Sequence, residues 1–127
     1  DSNIMALPVV TQQDLLNKRA EEDAWDIVLF GGEGCAACAQ MEELVEGIKD
    51  NYPTITFSRL NVTAEDLPLF APPVIPSLLA LHNGVRIWEA LGTISNLDAL
   101  DDTITRWLNN QVNFDMISGG TVLHEFQ

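Results

Sequence analysis

Two cysteines, Cys35 and Cys38, stand three positions apart in the segment Cys35-Ala36-Ala37-Cys38, and the chain contains no further cysteine. A disulfide scaffold would use more cysteines, spread along the chain. A tetrahedral zinc site needs four ligands, and His82 and His124 each stand alone in the sequence. The spacing of the pair is typical of thiol–disulfide exchange, in which one thiolate attacks and the second sulfur resolves the mixed disulfide.

The residues after the pair carry a helical pattern that positions the two sulfurs differently. One apolar stripe follows helical spacing and consists of Met41, Leu44, Val45, Ile48 and Tyr52. Cys38 continues this stripe and is predicted to be buried, whereas Cys35 lies outside it, at the first turn of the helix. Since a helix N-terminus stabilises a thiolate, Cys35 is predicted to be the nucleophile and Cys38 the resolving thiol.

Acidic residues near the pair are expected to act against the thiolate only weakly. The exposed charge of Glu33 is worth about 1 kcal/mol or less in water. Glu42 and Glu46 are two and three turns along the helix, which places them near or beyond a Debye length of about 8–10 Å. The helix N-terminus is therefore expected to dominate at Cys35.

The remaining pattern predicts alternating strands and helices in the order β-α-β-α-β-α-β-β-α. Apolar runs, alternation and turn residues mark the strands, and capping residues and prolines mark the helix ends. The predicted strands are Val9–Val10, Asp26–Phe30, Thr54–Leu60, Ser77–Leu81 and Val85–Leu91, the last two joined by a turn at His82-Asn83-Gly84. Besides the cysteine helix, the predicted helices are one from Thr11 to about Glu22, a short one over Ala64–Phe70, and a last one capped by Ser95 or Asn96.

Over about Val9 to Asn110, the chain resembles the thioredoxin family. The first matching feature is Phe30-Gly31-Gly32-Glu33-Gly34-Cys35-Ala36-Ala37-Cys38, a strand and a loop leading into a helix. The second is Ile75-Pro76-Ser77-Leu78-Leu79, which looks like the family's cis-proline segment. The third is Asn83-Gly84 with Leu91-Gly92, and Arg59-Leu60-Asn61-Val62 upstream.

The resemblance implies an α/β, thioredoxin-like fold with a central mixed sheet flanked by helices. It implies that Cys35 and Cys38 are catalytic and that Ile75, Pro76 and Gly92 bind an extended protein substrate. Arg59 stands where the family has a lysine and would offset negative charge near the site. Because the dithiol itself carries two electrons, no dissociable cofactor is implied. The implied partners are protein thiols and disulfides, together with an upstream thiol reductase or oxidase.

Five positions depart from the family's pattern. Gly34 replaces the tryptophan before the first cysteine, and Ala36-Ala37 replaces the usual Gly-Pro. Glu43 stands where the family has a helix-kinking proline, and Leu29 where it has a buried aspartate. Since leucine accepts no proton and a buried thiol resists ionisation, we predict that attack by Cys35 is competent while resolution by Cys38 is slow.

Composition and charge restrict the possible partners. The 127 residues include 19 acidic and 6 basic ones, for a net charge of −13, and such a chain is repelled by nucleic acid and by anionic membranes. An acidic surface of this kind is typical of a solvated, soluble protein; adaptation to high salt is the alternative explanation of the charge. No stretch reaches the roughly 20 apolar residues that cross a bilayer, so membrane insertion is not expected, and we expect a monomer.

The length fits one domain, placed at residues 9–110 between an N-terminal extension (1–8) and a C-terminal tail (111–127). Asp1 is not a translation start, so either a leader has been removed or vector-derived residues precede Met5. The cytoplasm is slightly favoured, with a periplasmic or other extracytoplasmic location as the alternative if a leader was removed.

Two rival functions stay open: a non-enzymatic thioredoxin-like binding or chaperone module, and metal transport by the cysteine pair.

Overall fold

The computed structural model describes residues 7–62 and 74–109 of the chain. In these ranges the chain forms three α-helices and four strands, with 3-10 turns at Lys18–Ala20 and Lys49–Asn51. The helices are α1 (Gln12–Asn17), α2 (Ala36–Ile48) and α3 (Leu97–Leu108). The strands are β1 (Trp25–Gly31), β2 (Thr56–Asn61), β3 (Ser77–His82) and β4 (Val85–Leu91).

The four strands form one mixed sheet in the order β2-β1-β3-β4. β1 pairs in parallel with β2 and antiparallel with β3, and β3 pairs antiparallel with β4. β1 therefore lies inside the sheet, which explains its continuous apolar run: all its residues after Trp25 are buried. The predicted α/β architecture with a central mixed sheet is confirmed.

Helices cover the two faces of the sheet and divide the core in two. On one face, α2 and α3 pack against alternate residues of the strands, including Ile27 and Leu29 of β1. Their main buried contributions are Met41, Val45, Ile48, Leu100, Ile104 and Trp107. On the other face, Leu15 of α1 packs against a smaller cluster that contains Val28 and Phe30. The end of β1 is thus fixed from both sides, which holds the start of α2 in place.

Side-chain caps start α1 and α3 where the sequence predicts them. The Thr11 side chain accepts a hydrogen bond from the backbone N–H of Asp14 while the Asp14 carboxylate accepts one from the Thr11 N–H, a capping box. At α3 the cap is Asn96, whose side chain accepts from the N–H of Ala99. Of the two predicted cap residues for α3, Asn96 is therefore the cap.

Several predicted boundaries are wrong. α1 ends at Asn17 and continues only as the 3-10 turn, because the chain becomes extended at Glu21 to enter β1. Val9 makes a single isolated parallel bridge to Arg59 instead of a strand. β2 begins at Thr56, and Tyr52 follows the 3-10 turn after α2 instead of continuing the helix. The predicted helix Ala64–Phe70, the tail 111–127 and most of the N-terminal extension lie outside the described residues.

The three tryptophans, Trp25, Trp88 and Trp107, form a row inside the fold. Trp107 and Trp88 are buried and stack with ring centroids 6.1 Å apart, and Trp88 stacks on the half-buried Trp25 at 6.2 Å. His82 extends the row, with its ring 4.2 Å from that of Trp25. In the part of the chain that the structure describes, no helix is long and apolar enough to cross a membrane.

Candidate active site

Cys35 and Cys38 are joined by a disulfide at the start of α2. Cys35 is the N-cap residue, and its sulfur accepts a hydrogen bond from the backbone N–H of Cys38 at 3.1 Å. Cys35 is partly exposed, whereas Cys38 is fully buried and begins the buried stripe that continues with Met41 and Val45. The predicted contrast between an accessible and a buried sulfur is present.

Glycines shape the loop between β1 and α2. Gly34, next to Cys35, has a φ of 72°, in the left-handed region that glycine adopts without a steric penalty. A Cβ at Gly31 would lie only 3.1 Å from the Cβ of Cys38 and 3.3 Å from its sulfur. The buried cysteine therefore packs directly on the backbone of β1 at a position that suits glycine.

The structure brings the predicted substrate-binding residues to the loop before Cys35. The Ile75–Pro76 peptide bond is cis. The Cδ1 of Ile75 lies 3.0 Å from the position that a Cβ would occupy at Gly32, and the N–H of Gly92 donates to the Pro76 carbonyl at 2.9 Å. Val74 and Ile75 are exposed apolar side chains. Ile75, Pro76 and Gly92 thus form one backbone cluster, and their role in substrate binding stays a prediction.

The guanidinium of Arg59 lies beside Gly31, the residue on which Cys38 packs. Its Nη1 forms an ion pair with Oε1 of Glu42, and its Nε donates to Oδ1 of Asn61 at 2.7 Å. Its Nη2 lies 3.6 Å from the Cβ position of Gly31, the same point that the Cys38 sulfur approaches to 3.3 Å. Arg59 is therefore near the cysteine pair, as the resemblance implies.

The sequence analysis considers Glu42 only by its distance from Cys35, and the structure shows a second relationship, to Cys38. Distance from Cys35 along the helix is large, but Glu42 is one turn after Cys38 and shares its side of α2. The four-residue spacing from Cys38 is visible in the sequence, whereas the ion pair with Arg59 depends on how α2 packs beside β2. Sequence reasoning missed Glu42 for that reason.

Solved structures resemble this arrangement over most of the chain. Neither a protein-family model nor a curated protein matches the sequence. Thioredoxin f from spinach chloroplast (long form) superposes with a TM-score of 0.65 at 17% identity, covering 87% of this chain and 89% of its own. A mutant thioredoxin from Halobacterium salinarum gives a TM-score of 0.64 at 19% identity, covering 81% of this chain and 91% of its own. The chain has the thioredoxin fold.

A third similar structure is a chain of the complex between ferredoxin:thioredoxin reductase and thioredoxin f2. Its TM-score is 0.67 at 15% identity, and the match covers 82% of this chain and 96% of that one. At these identities the likeness describes the fold. The Cys35–Cys38 disulfide at the start of α2 is observed directly in this chain and does not depend on the likeness.

Leu29 marks the clearest chemical departure inside this thioredoxin fold. It is 0% exposed, packs in the core that contains Met41 and Val45, and pairs in register with Arg59 on β2 and with Leu78 on β3. No ionisable group stands at this point of the strand. The charged groups beside Cys38 come from β2 and α2 instead, through Arg59 and Glu42.

A buried acid does occur in β1, but it belongs to the other face of the sheet. Asp26 is 2% exposed, and one of its carboxylate oxygens lies 3.4 Å from the Nζ of Lys18. Burial raises the pKa of this carboxyl above its ordinary value, and the nearby Lys18 opposes the rise in part. Because Asp26 alternates with Ile27 and Leu29, it faces away from α2 and the disulfide.

Glu33 is exposed in the loop before Cys35, as expected for a weakly acting charge. Among the described residues, no group of three or more histidine, cysteine, aspartate or glutamate side chains is placed to hold a metal ion. His124, one of the two histidines considered as ligands, lies outside the described residues.

Proposed function

We propose that this protein is a thiol–disulfide oxidoreductase that exchanges disulfides with protein substrates. The observation that carries the proposal is the position of the Cys35–Cys38 disulfide at the N-terminus of α2, with one sulfur accessible and the other buried. In the reduced protein, the first-turn N–H groups and the positive end of the helix dipole stabilise a Cys35 thiolate. The proposal rests on this chain's own sulfurs and is consistent with the thioredoxin fold.

The exchange proceeds in two balanced steps. The Cys35 thiolate attacks one sulfur of the substrate disulfide, forming a mixed disulfide and releasing the other substrate sulfur as a thiolate, which takes a proton from water. The Cys38 thiol then loses its proton to solvent, and its sulfur attacks Cys35 and releases the second substrate thiolate. Two electrons pass to the substrate, and the Cys35–Cys38 disulfide is formed.

The cluster of Ile75, Pro76 and Gly92 provides the surface for the substrate. The backbone at Ile75, next to the loop before Cys35, can pair with an extended peptide by adding a strand-like segment, and the exposed side chains of Val74 and Ile75 offer apolar contacts. An upstream thiol reductase or oxidase would return the pair to its starting state. A ferredoxin:thioredoxin reductase is such a partner for thioredoxin f2, one of the structurally similar proteins.

Reduction of insulin disulfides tests the proposal. With dithiothreitol as the electron source, the wild-type protein is expected to accelerate insulin precipitation, whereas Cys35→Ser is expected to abolish the acceleration. Reduced Cys38→Ser, freed of dithiothreitol before insulin is added, is expected to accumulate a mixed disulfide between Cys35 and insulin, identifiable by mass spectrometry. A wild-type rate equal to that of dithiothreitol alone, with no mixed disulfide in Cys38→Ser, would instead indicate a non-enzymatic binding module.

A further inference from the structure

The guanidinium of Arg59 is held from two sides. Nη1 is paired with the Glu42 carboxylate of α2, and Nε donates to Asn61 on its own strand at 2.7 Å. The two side chains of the ion pair are only 18% (Arg59) and 16% (Glu42) exposed. A planar guanidinium fixed at two of its three nitrogens has a fixed orientation, so the direction of the third is set as well.

The third nitrogen, Nη2, lies close to the same backbone position as the buried cysteine. Nη2 of Arg59 lies 3.6 Å, and the Cys38 sulfur 3.3 Å, from the point where a Cβ would stand at Gly31. Because glycine has no side chain, the guanidinium and the sulfur both approach this point. The guanidinium and the sulfur that must ionise in the second step of the exchange therefore both lie against Gly31.

A positive charge near Cys38 affects the ionisation of its thiol strongly. A buried thiolate is disfavoured by desolvation, and a nearby cation offsets that cost. Salt and water screen a pair of this burial much less than an exposed one. Leu29 supplies no ionisable group from β1, so a charge that offsets this cost has to come from a neighbouring element.

The other charged groups on the surrounding elements are mostly carboxylates, which favour the protonated thiol form of Cys38 over the thiolate. Glu33 in the loop and Glu43 on α2 are exposed carboxylates, and Glu46 lies two turns beyond Cys38, its pKa raised by partial burial and by Glu42. Lys49 is three turns beyond Cys38, farther than a Debye length of about 8–10 Å. Arg59 is thus the cation that the described structure brings to the sulfur.

We propose that Glu42 is a positioning residue for disulfide exchange: with Asn61 it fixes the Arg59 guanidinium beside Cys38, where the positive charge stabilises the Cys38 thiolate. This inference rests on the proposed function, because the thiolate in question is the one that resolves the mixed disulfide. The Cys38 proton leaves to solvent, the sulfur–sulfur bond to Cys35 forms, and the substrate thiolate departs. Glu42 itself takes no part in bond making.

The direction in which one substitution shifts the pKa of Cys38 shows whether Glu42 positions Arg59 or is only a nearby negative charge. In a Cys35→Ser background, which leaves Cys38 as the sole thiol, the ionisation of Cys38 is followed with pH by the ultraviolet absorbance of its thiolate. If Glu42 positions Arg59, then Glu42→Ala raises the measured pKa of Cys38 by about one unit, a tenfold smaller thiolate fraction at a given pH. If Glu42 is only a nearby negative charge, its removal lowers that pKa or leaves it unchanged, and the proposal is overturned.

Glu43→Ala is the matched control, because it removes the same charge from an exposed neighbouring position of α2. It is expected to lower the pKa of Cys38 slightly or leave it unchanged. A rise as large as that of Glu42→Ala would also overturn the proposal. Should Glu42→Ala fail to fold, Glu42→Gln keeps the shape of the side chain and a weaker acceptor, and the same sign is expected with a smaller rise.

A double substitution tests whether the effect passes through Arg59. Arg59→Gln alone is expected to raise the pKa of Cys38 at least as far as Glu42→Ala does, and adding Glu42→Ala to it should give no further rise. An equal rise in both backgrounds would contradict the positioning role. Because these titrations use no substrate, their outcome is independent of the insulin assay, and the two proposals fail separately.

Discussion

Gly31 and Cys38 pack so closely that a Cβ at Gly31 would stand 3.1 Å from the Cβ of Cys38 and 3.3 Å from its sulfur. The last residue of β1 and the buried cysteine of α2 thus determine how closely the helix start approaches the sheet. The same contact leaves room for the Arg59 guanidinium, 3.6 Å from the position of that Cβ.

Gly31→Ala is therefore expected to be destabilising. The added methyl group forces either the disulfide or the strand to shift, and overpacking of this kind costs about 1–3 kcal/mol. Gly47→Ala, in the same helix as Cys38, is the control: its Cβ would meet Leu97 at an ordinary contact distance of 3.4 Å, and replacing a helical glycine gains about 0.5–1 kcal/mol. Urea unfolding of the oxidised proteins measures both effects, and a neutral Gly31→Ala would contradict the tight packing.

The accessible and buried positions of the two sulfurs predict the order of alkylation. In the native reduced protein, iodoacetamide is expected to modify Cys35 before Cys38, because Cys35 is partly exposed at a helix N-cap and Cys38 is fully buried. Peptide mapping by mass spectrometry at short times resolves the two sites. Faster modification of Cys38 would contradict the assignment of Cys35 as nucleophile.

Local patterns in the sequence are sufficient to predict the helices and strands around the cysteines. The stripe through Met41, Val45 and Ile48 has the period of a helix buried on one side, so the inward direction of Cys38 follows from spacing alone. The hairpin at Asn83-Gly84 follows from turn chemistry, and both residues have positive φ. These features depend on residues that are close in the chain.

Side-chain contacts between distant segments are not specified by local sequence patterns. The pairing of Glu42 with Arg59 requires α2 to lie against β2, which no local period specifies. The sequence pattern places Asp26 in an apolar run, and only the packing of α1 brings Lys18 near its carboxylate. The early end of α1 likewise follows from the path that the chain takes into β1.

The buried carboxylate of Asp26 predicts a dependence of stability on pH. Because burial raises its pKa in the folded state, the fold favours the protonated form. This contribution to stability is present at acidic pH and is lost as the pH rises through the folded-state pKa, by about 1.36 kcal/mol for each unit of the shift. Asp26→Asn is therefore expected to be more stable than wild type at neutral pH, with the gain shrinking on acidification.

Urea unfolding across acidic to neutral pH measures that difference. The exposed Glu22 provides the control. It lies four residues before Asp26, and Glu22→Gln removes a negative charge there without changing a buried group. If Asp26→Asn is less stable than wild type at neutral pH, the ion pair with Lys18 outweighs the cost of burial, and the prediction is wrong.

The absence of an acid at Leu29 predicts a slow resolving step. Arg59 stabilises the Cys38 thiolate but accepts no proton, so the proton of the buried thiol has to reach solvent unaided. Mixed disulfides between Cys35 and a substrate are therefore expected to be long-lived, and Leu29→Asp is expected to accelerate their resolution. Stopped-flow kinetics with a model disulfide separate the attack by Cys35 from the resolution by Cys38.

Leu29→Asn is the matched control, because it has the size and polarity of the aspartate variant without its proton acceptor. Both variants introduce a polar group at a fully buried position and are expected to cost several kcal/mol of stability, so their unfolding is measured alongside the kinetics. Only Leu29→Asp should accelerate resolution, since only its carboxylate can take the Cys38 proton. Equal resolution rates in the two variants, or a wild-type rate as fast as that of a thioredoxin with the buried aspartate, would show that proton transfer does not limit this step.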